Sequence, residues 1–118
     1  MFNGTSYGIH VRTGFNNVLE DNAVVGAGGN GYTIEAVGTE LCDNLAQNCG
    51  GDGFFVDKDC TRVALERCTA VGSTLIGLHN LGTRTAVVDC EFTDSEECDL
   101  LNAGSFSRFE SNSYRDCD

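Results

Sequence analysis

Short apolar pairs recur along the chain with one residue between their members: Ile9 and Val11, Tyr32 and Ile34, Phe54 and Val56, Ile76 and Leu78, then Leu101. A spacing of two is the period of a strand with one face buried. The second member recurs at steps of 23, 22, 22 and 23 residues. A second series, Asn22, Asn44, Cys68, Cys90 and Asn112, follows those strands at steps of 22, 24, 22 and 22. Three residues before each of its members stand Leu19, Leu41, Leu65, Val87 and Phe109, and two after stand Val24, Ala46, Ala70, Phe92 and Tyr114. All ten are apolar or aromatic. Five residues after each marker come Ala27, Cys49, Ser73, Ser95 and Cys117, all small, as a tightly packed turn requires. The chain reads as five repeats of about 22 residues, a period at which stacking, rather than any single repeat, creates the core.

A leucine-rich repeat needs an L-x-x-L-x-L core, and a helical repeat needs apolar spacing near 3.6; these strands, separated by Gly, Asn and Asp, fit neither. With Gly31-Tyr-Thr-Ile34 and Gly53-Phe-Phe-Val56 opening strands, and Leu19-Glu-Asp-Asn22 and Leu41-Cys-Asp-Asn44 at the following turn, residues 7 to 118 resemble the right-handed parallel β-helix of the pectate-lyase-like superfamily. The expected fold is all-β, one single-stranded parallel solenoid of about five coils spanning residues 1–118. That superfamily includes polysaccharide lyases, hydrolases, C5-epimerases and phage tailspikes. In it, Asn residues at this turn stack coil on coil and bond to the backbone. Here Cys68 and Cys90 stand at two central places, which predicts a broken amide ladder and thiols that act as packing residues. Neighbouring coils lie about 4.8 Å apart, so a Cys68–Cys90 disulfide is within reach but poorly aimed. The open strand edges of the first and last coils predict a homo-oligomer or a piece of a longer β-helix.

With Val11, Ile34, Val56, Leu78 and Leu101 pointing inward, strand alternation places Arg12, Glu35, Asp57, His79 and Asn102 in one outward row. A second outward row then reads His10, Thr33, Phe55, Gly77 and Leu100. Glu35 and Asp57, one coil apart, are close enough to raise one carboxyl pKa, and His79 shuttles protons near neutrality, so these three are the candidate catalytic residues. Carboxyls about 5 Å apart also match a retaining glycosidase pair. His10, Arg12, Phe55 and Asn102 are the candidate substrate-binding residues. The competing reading of the row is mutual neutralisation of Arg12 by Glu35 and of Asp57 by His79. Tyr7-Gly8-Ile9-His10 is similar to the opening of an alginate epimerase motif but lacks its Asp and Pro. Gly26-Ala-Gly-Gly-Asn-Gly31 matches a dinucleotide fingerprint by letter, yet a strand follows it where a helix is needed, so its glycines are expected at positive-φ turns.

Eighteen Asp and Glu against seven Lys and Arg give a net charge of −11, a field that repels nucleic acid and anionic membranes. No apolar run approaches the roughly 20 residues of a membrane span. No zinc-spaced cluster is present and no cofactor is implied; Ca²⁺ on Asp52, Asp57 and Asp59 is the one weak possibility. Seven cysteines without a C-x-x-C, and no signal-like start, predict reduced, buried thiols and a cytoplasmic protein. Asn3-Gly4-Thr5 is then a chance sequon. Function divides between two classes: carbohydrate binding along the first-sheet face, with acid–base chemistry as its extension, and a non-catalytic scaffold making protein contacts.

Overall fold

A computed structural model describes residues 2, 3 and 8–114; Tyr7, the Gly4 and Thr5 of the sequon and Cys117 lie outside the described residues. After β1 (Phe2–Asn3), strands come three to a coil: β2 (Ile9–Val11), β3 (Val18–Glu20) and β4 (Ala23–Val25); β5 (Tyr32–Ile34), β6 (Glu40–Cys42) and β7 (Leu45–Gln47); β8 (Phe54–Val56), β9 (Ala64–Glu66) and β10 (Thr69–Val71); β11 (Ile76–Asn80), β12 (Ala86–Val88) and β13 (Glu91–Thr93); β14 (Cys98–Asn102) and β15 (Arg108–Glu110). Each strand pairs in parallel with its counterpart one coil away. Three five-stranded sheets result: β14-β11-β8-β5-β2 (first), β15-β12-β9-β6-β3 (second) and β1-β4-β7-β10-β13 (third). No helix occurs among the described residues.

The corners show why strands this short hold their direction. Each bends at a residue in the left-handed region, and these residues stack in columns: Asn16, Gly38, Arg62, Arg84 and Phe106 between the first and second sheets, and Asp21, Asp43, Arg67, Asp89 and Ser111 between the second and third. Gly26, Asn48, Gly72 and Asp94 do the same after the third sheet. Asn, Asp and Gly tolerate this conformation, which explains their abundance. Within the Gly26–Gly31 stretch only Gly26 has a positive φ (72°). Gly31 serves another end: a Cβ there would sit 2.7 Å from the Gly53 carbonyl oxygen and 2.9 Å from the Ala46 Cβ.

The core is a set of inward columns. Leu19, Leu41, Leu65, Val87 and Phe109 line the second sheet, and Val24, Ala46, Ala70 and Phe92 the third. Ala27, Cys49, Ser73 and Ser95 are buried at the tight turn. On the first sheet Tyr32 stacks on Phe54 at a centroid distance of 4.6 Å, and the Tyr32 hydroxyl donates to the carbonyls of Asn22 and Leu45.

The first-sheet register departs from expectation after the third coil. Phe54 pairs with Leu78, Phe55 with His79 and Val56 with Asn80. Next come Leu78 with Leu100, His79 with Leu101 and Asn80 with Asn102. Leu101 therefore faces outward, while Gly77 and Leu100 are buried rather than members of an outward row. Two residues are inserted at the Asp57–Cys60 corner, where the Cys60 N–H donates to the Asp57 carbonyl. The 24-residue step from Asn44 to Cys68 marks the same insertion. It was obscured because Ile76 and Leu78 imitate Phe54 and Val56, and because the next inward residue is a polar one. Asn80 is fully buried and fully bonded: its amide NH₂ donates to Asn102 Oδ1 (2.9 Å) and Ser107 Oγ (3.0 Å), and its Oδ1 accepts from the Gly82 N–H and the Thr85 hydroxyl.

The turn between the second and third sheets carries a hybrid ladder instead of a broken one. Asn44 Oδ1 accepts from the Asn22 N–H (3.0 Å), and its amide donates to the Leu19 carbonyl one coil back (2.9 Å). Asn112 repeats both bonds, to the Cys90 N–H (2.8 Å) and the Val87 carbonyl (2.9 Å). Cys90 occupies the same two places with sulfur, accepting from the Cys68 N–H (3.4 Å) and donating to the Leu65 carbonyl (3.6 Å), and Cys68 donates to the Leu41 carbonyl (3.4 Å). The thiols keep the amide connectivity in weaker form. Cys68 and Cys90 are free thiols, as are Cys42, Cys49 and Cys60, so no Cys68–Cys90 disulfide forms. The Cys90 neighbour and burial push the Cys68 thiol far above its ordinary range. Cys98, by contrast, is disulfide-bonded, which departs from a fully reduced set.

The ladder makes an asymmetric prediction. Cys90→Ala orphans a backbone N–H as well as a carbonyl and should cost about 1–3 kcal/mol, more than Cys68→Ala, which removes the donor to the Leu41 carbonyl. Urea unfolding of the two variants checks the order.

Candidate functional site

On the first sheet the outward row is His10, Thr33, Phe55, His79 and Leu101. The molecule has only two histidines, and both fall in this row, three coils apart, or roughly 14 Å at the usual strand spacing. Each is held by a carboxylate. His10 Nε2 lies 3.0 Å from Glu35 Oε1, and His79 Nδ1 lies 3.1 Å from Asp52 Oδ2. Between them stand Thr33, whose hydroxyl accepts from the Asn30 amide (3.2 Å), and Phe55, whose ring meets the His79 imidazole edge to face at 5.3 Å.

The Asp52 and His79 pair is the more enclosed, with side-chain exposures of 7% and 23%. Asp52 is fixed from two sides: one carboxylate oxygen faces His79 and the other accepts from the Ile76 N–H at 3.1 Å. Burial raises the Asp52 pKa above the ordinary carboxylate value, opposed by the bonds to His79 and to the Ile76 N–H. With Nδ1 donating to Asp52, the imidazole keeps Nε2 as its second nitrogen, the arrangement of a carboxylate-oriented base.

The predicted triad does not converge. The backbone sets Asp57 directly over Glu35 in the next outward row, which runs Arg12, Glu35, Asp57, Leu81 and Ala103. Glu35 pairs with His10 in place of Arg12, and His79 pairs with Asp52 in place of Asp57. The two-residue insertion carries His79 out of the Asp57 row and beside Phe55. Asp57 instead accepts from the Asp59 N–H at 3.3 Å. Asn102 belongs to the inward column and bonds Asn80, so it is not part of the outward row. His10, Arg12 and Phe55 do border this face. Among the described residues no group of three or more His, Cys, Asp or Glu side chains is arranged to hold a metal ion.

The comparisons with known proteins place this geometry in a family. A family model described as the right handed beta helix region matches residues 1–92. The chain is a member of the right-handed β-helix family. Neither a curated protein nor a solved structure matches it. No helix of this β-helix, among the described residues, is long and apolar enough to cross a membrane.

One feature of this β-helix was not legible in the sequence. A cavity of about 390 Å³ opens on the outward face of the second sheet, floored by Ala64 and Ala86, with Glu40 and Arg108 at its ends and Glu66 and Val88 beside it. It exists because the outward column Glu40, Ala64, Ala86 and Arg108 has two small members in succession. Small residues at outward positions give no periodic signal.

Asp52 yields a pH prediction. A folded carboxyl whose pKa is raised above the unfolded value near 3.9 contributes stability that is complete below that value and lost as pH rises through the folded pKa. Above the unfolded pKa the burial of Asp52 therefore costs the fold. Asp52→Asn keeps an acceptor for the Ile76 N–H and removes that cost, so relative to wild type it should gain stability as pH rises from about 4 to 7. Denaturant midpoints across that range give the sign.

Proposed function

We propose that this β-helix binds carbohydrate along the outward face of its first sheet, centred on Thr33 and Phe55 between the two histidine–carboxylate pairs. The observation that carries the reading is the placement of both histidines of the molecule in one outward row, each oriented by its own acid, with an aromatic ring between them. The face repeats every coil, which suits a linear polymer of regular repeat better than a compact small molecule. Phe55 offers an apolar surface for a sugar ring, and Thr33, His10 and Arg12 offer hydrogen bonds. The residue best placed to move a proton at a bound sugar is His79, oriented by Asp52. Glu35 and Asp57 form the adjacent acidic edge and favour neutral over acidic glycans at this face.

A second reading, a scaffold that self-associates, is favoured by one observation: Phe15 and Phe106, 79% and 82% exposed, stand at the same corner between the first and second sheets in the first and last coils. Sedimentation velocity at micromolar concentration separates the readings, since a strict monomer leaves the scaffold without support.

For the carbohydrate reading, thermal shifts with a panel of neutral and acidic polysaccharides should show saturable stabilisation by a neutral glycan. Phe55→Ala should weaken it on the order of tenfold, the loss of one buried aromatic contact. Failure of every glycan to shift the transition, or an unchanged response in Phe55→Ala, contradicts it.

A further inference from the structure

The corner between the first and second sheets places two arginines on adjacent coils in a molecule of net charge −11. Arg62 and Arg84 follow one another in the same left-handed column, at φ of 58° and 59°. Both are exposed, and among the described residues neither forms an ion pair. Being one coil apart, their backbones are separated by about 4.8 Å, so two like charges stand on adjacent coils. The conformation is costly for arginine, and the same column is filled by Asn16 and Gly38 in the first two coils, which adopt it readily. Strain together with unpaired like charge is a pattern that persists where a ligand uses it.

The neighbourhood extends the pattern. Each arginine stands two residues before an alanine on the floor of the second-sheet cavity, Arg62 before Ala64 and Arg84 before Ala86, and Arg108 closes one end of that cavity. Hydroxyls run beside the column in register, Thr61 to Thr83 to Ser105. Phe106 takes the next place after Arg84, and its ring is 82% exposed. The acids near the cavity are partly engaged: Glu66 by Arg67 at 3.1 Å and Glu110 by Arg108 at 3.7 Å, while Glu40 lies at the opposite end from Arg108. Screening confines these fields to about 8 Å at physiological salt, so a ligand at the column meets its arginines and the nearby acids rather than the net charge of the whole chain.

We propose that the Arg62–Arg84 column and the adjoining Ala64–Ala86 cavity form a binding site for a sugar carrying a tetrahedral oxyanion, as a sulfate or phosphate ester. A tetrahedral group presents three terminal oxygens in different directions and so accepts readily from guanidinium groups of two adjacent coils at once, whereas a carboxylate presents its two oxygens in one plane, matched to a single fork. The alanine floor admits the sugar ring, the threonine column supplies hydrogen bonds, and Phe106 offers a stacking face at the far end. Nucleic acid is disfavoured, because its affinity rests on some 6–10 phosphate contacts and this corner supplies two or three. The site is on a different face from the first-sheet row and stands without it.

The test is equilibrium binding of dextran sulfate, dextran phosphate, unmodified dextran and polygalacturonate to the wild-type protein and to Arg62→Asn/Arg84→Asn. Saturable binding of one or both esters is expected, weakened tenfold or more in the double variant. The two ester arms say which oxyanion is preferred. Because asparagine suits the left-handed column, the double variant should melt at or above the wild-type temperature, so its loss of binding is not a loss of fold. Arg62→Lys/Arg84→Lys, which keeps the charge without the fork, should bind with intermediate affinity. Absence of binding by either ester, equal binding of polygalacturonate, or undiminished binding by the asparagine variant overturns the proposal.

Discussion

Everything in this molecule depends on one constraint: each coil must lie in backbone register on the one before it. Parallel strands of three residues hold too few hydrogen bonds to stand alone, so each depends on its neighbours above and below. Register then dictates chemistry. A position that points inward does so in all five coils, and whatever occupies it must stack on its own counterpart. Insertions are tolerated only where a corner can bulge outward, as at Asp57–Cys60, because two extra residues within a strand would disrupt its ladder.

The same constraint explains the polar interior. The turn after the second sheet needs a side chain that accepts an N–H from one coil and donates to a carbonyl of another, and asparagine does both. Cys90 does both less well, with a longer and softer bond, yet fits the same volume. Asn80 solves a related problem at the end of a lengthened strand, where its amide joins strand, corner and next coil. A buried amide with its donors and acceptors satisfied fixes register more tightly than an apolar residue would, because a slip of one residue would leave it unpaired. Rigid columns of this kind also set the functional surface: any site is a row of outward residues at coil spacing, and its geometry is as rigid as the ladder beneath it.

How much of this was legible in the sequence follows from the same physics. The second-sheet and third-sheet columns were legible because their inward residues are apolar in every coil, from Leu19 to Phe109 and from Val24 to Phe92. The first sheet was legible only as far as Val56. Beyond it Asn80 and Asn102 take the inward places, and a rule that seeks apolar alternation shifts to Leu78 and Leu101. That shift misplaced His79, joined it to Asp57 and hid Asp52, whose burial beside a turn has no periodic mark. The arginine column was equally hidden, since its meaning lies in a backbone conformation that asparagine and glycine would have announced and arginine does not. The placement of His10, Phe55 and His79 on the first sheet, and of Arg12 and Glu35 directly after its strands, was legible in the sequence. Their partners were not.

The most direct measurement of the account is the set of nuclear Overhauser contacts from the His79 ring in solution. Register set by the inward Asn80 places that ring against Phe55, at a centroid distance of 5.3 Å, and predicts strong cross-peaks between their aromatic protons. Cross-peaks from His79 to the Asp57 side chain, with none to Phe55, would show the fourth coil two residues out of this register. The outward row, its paired acids and the reading built on them would then fall together.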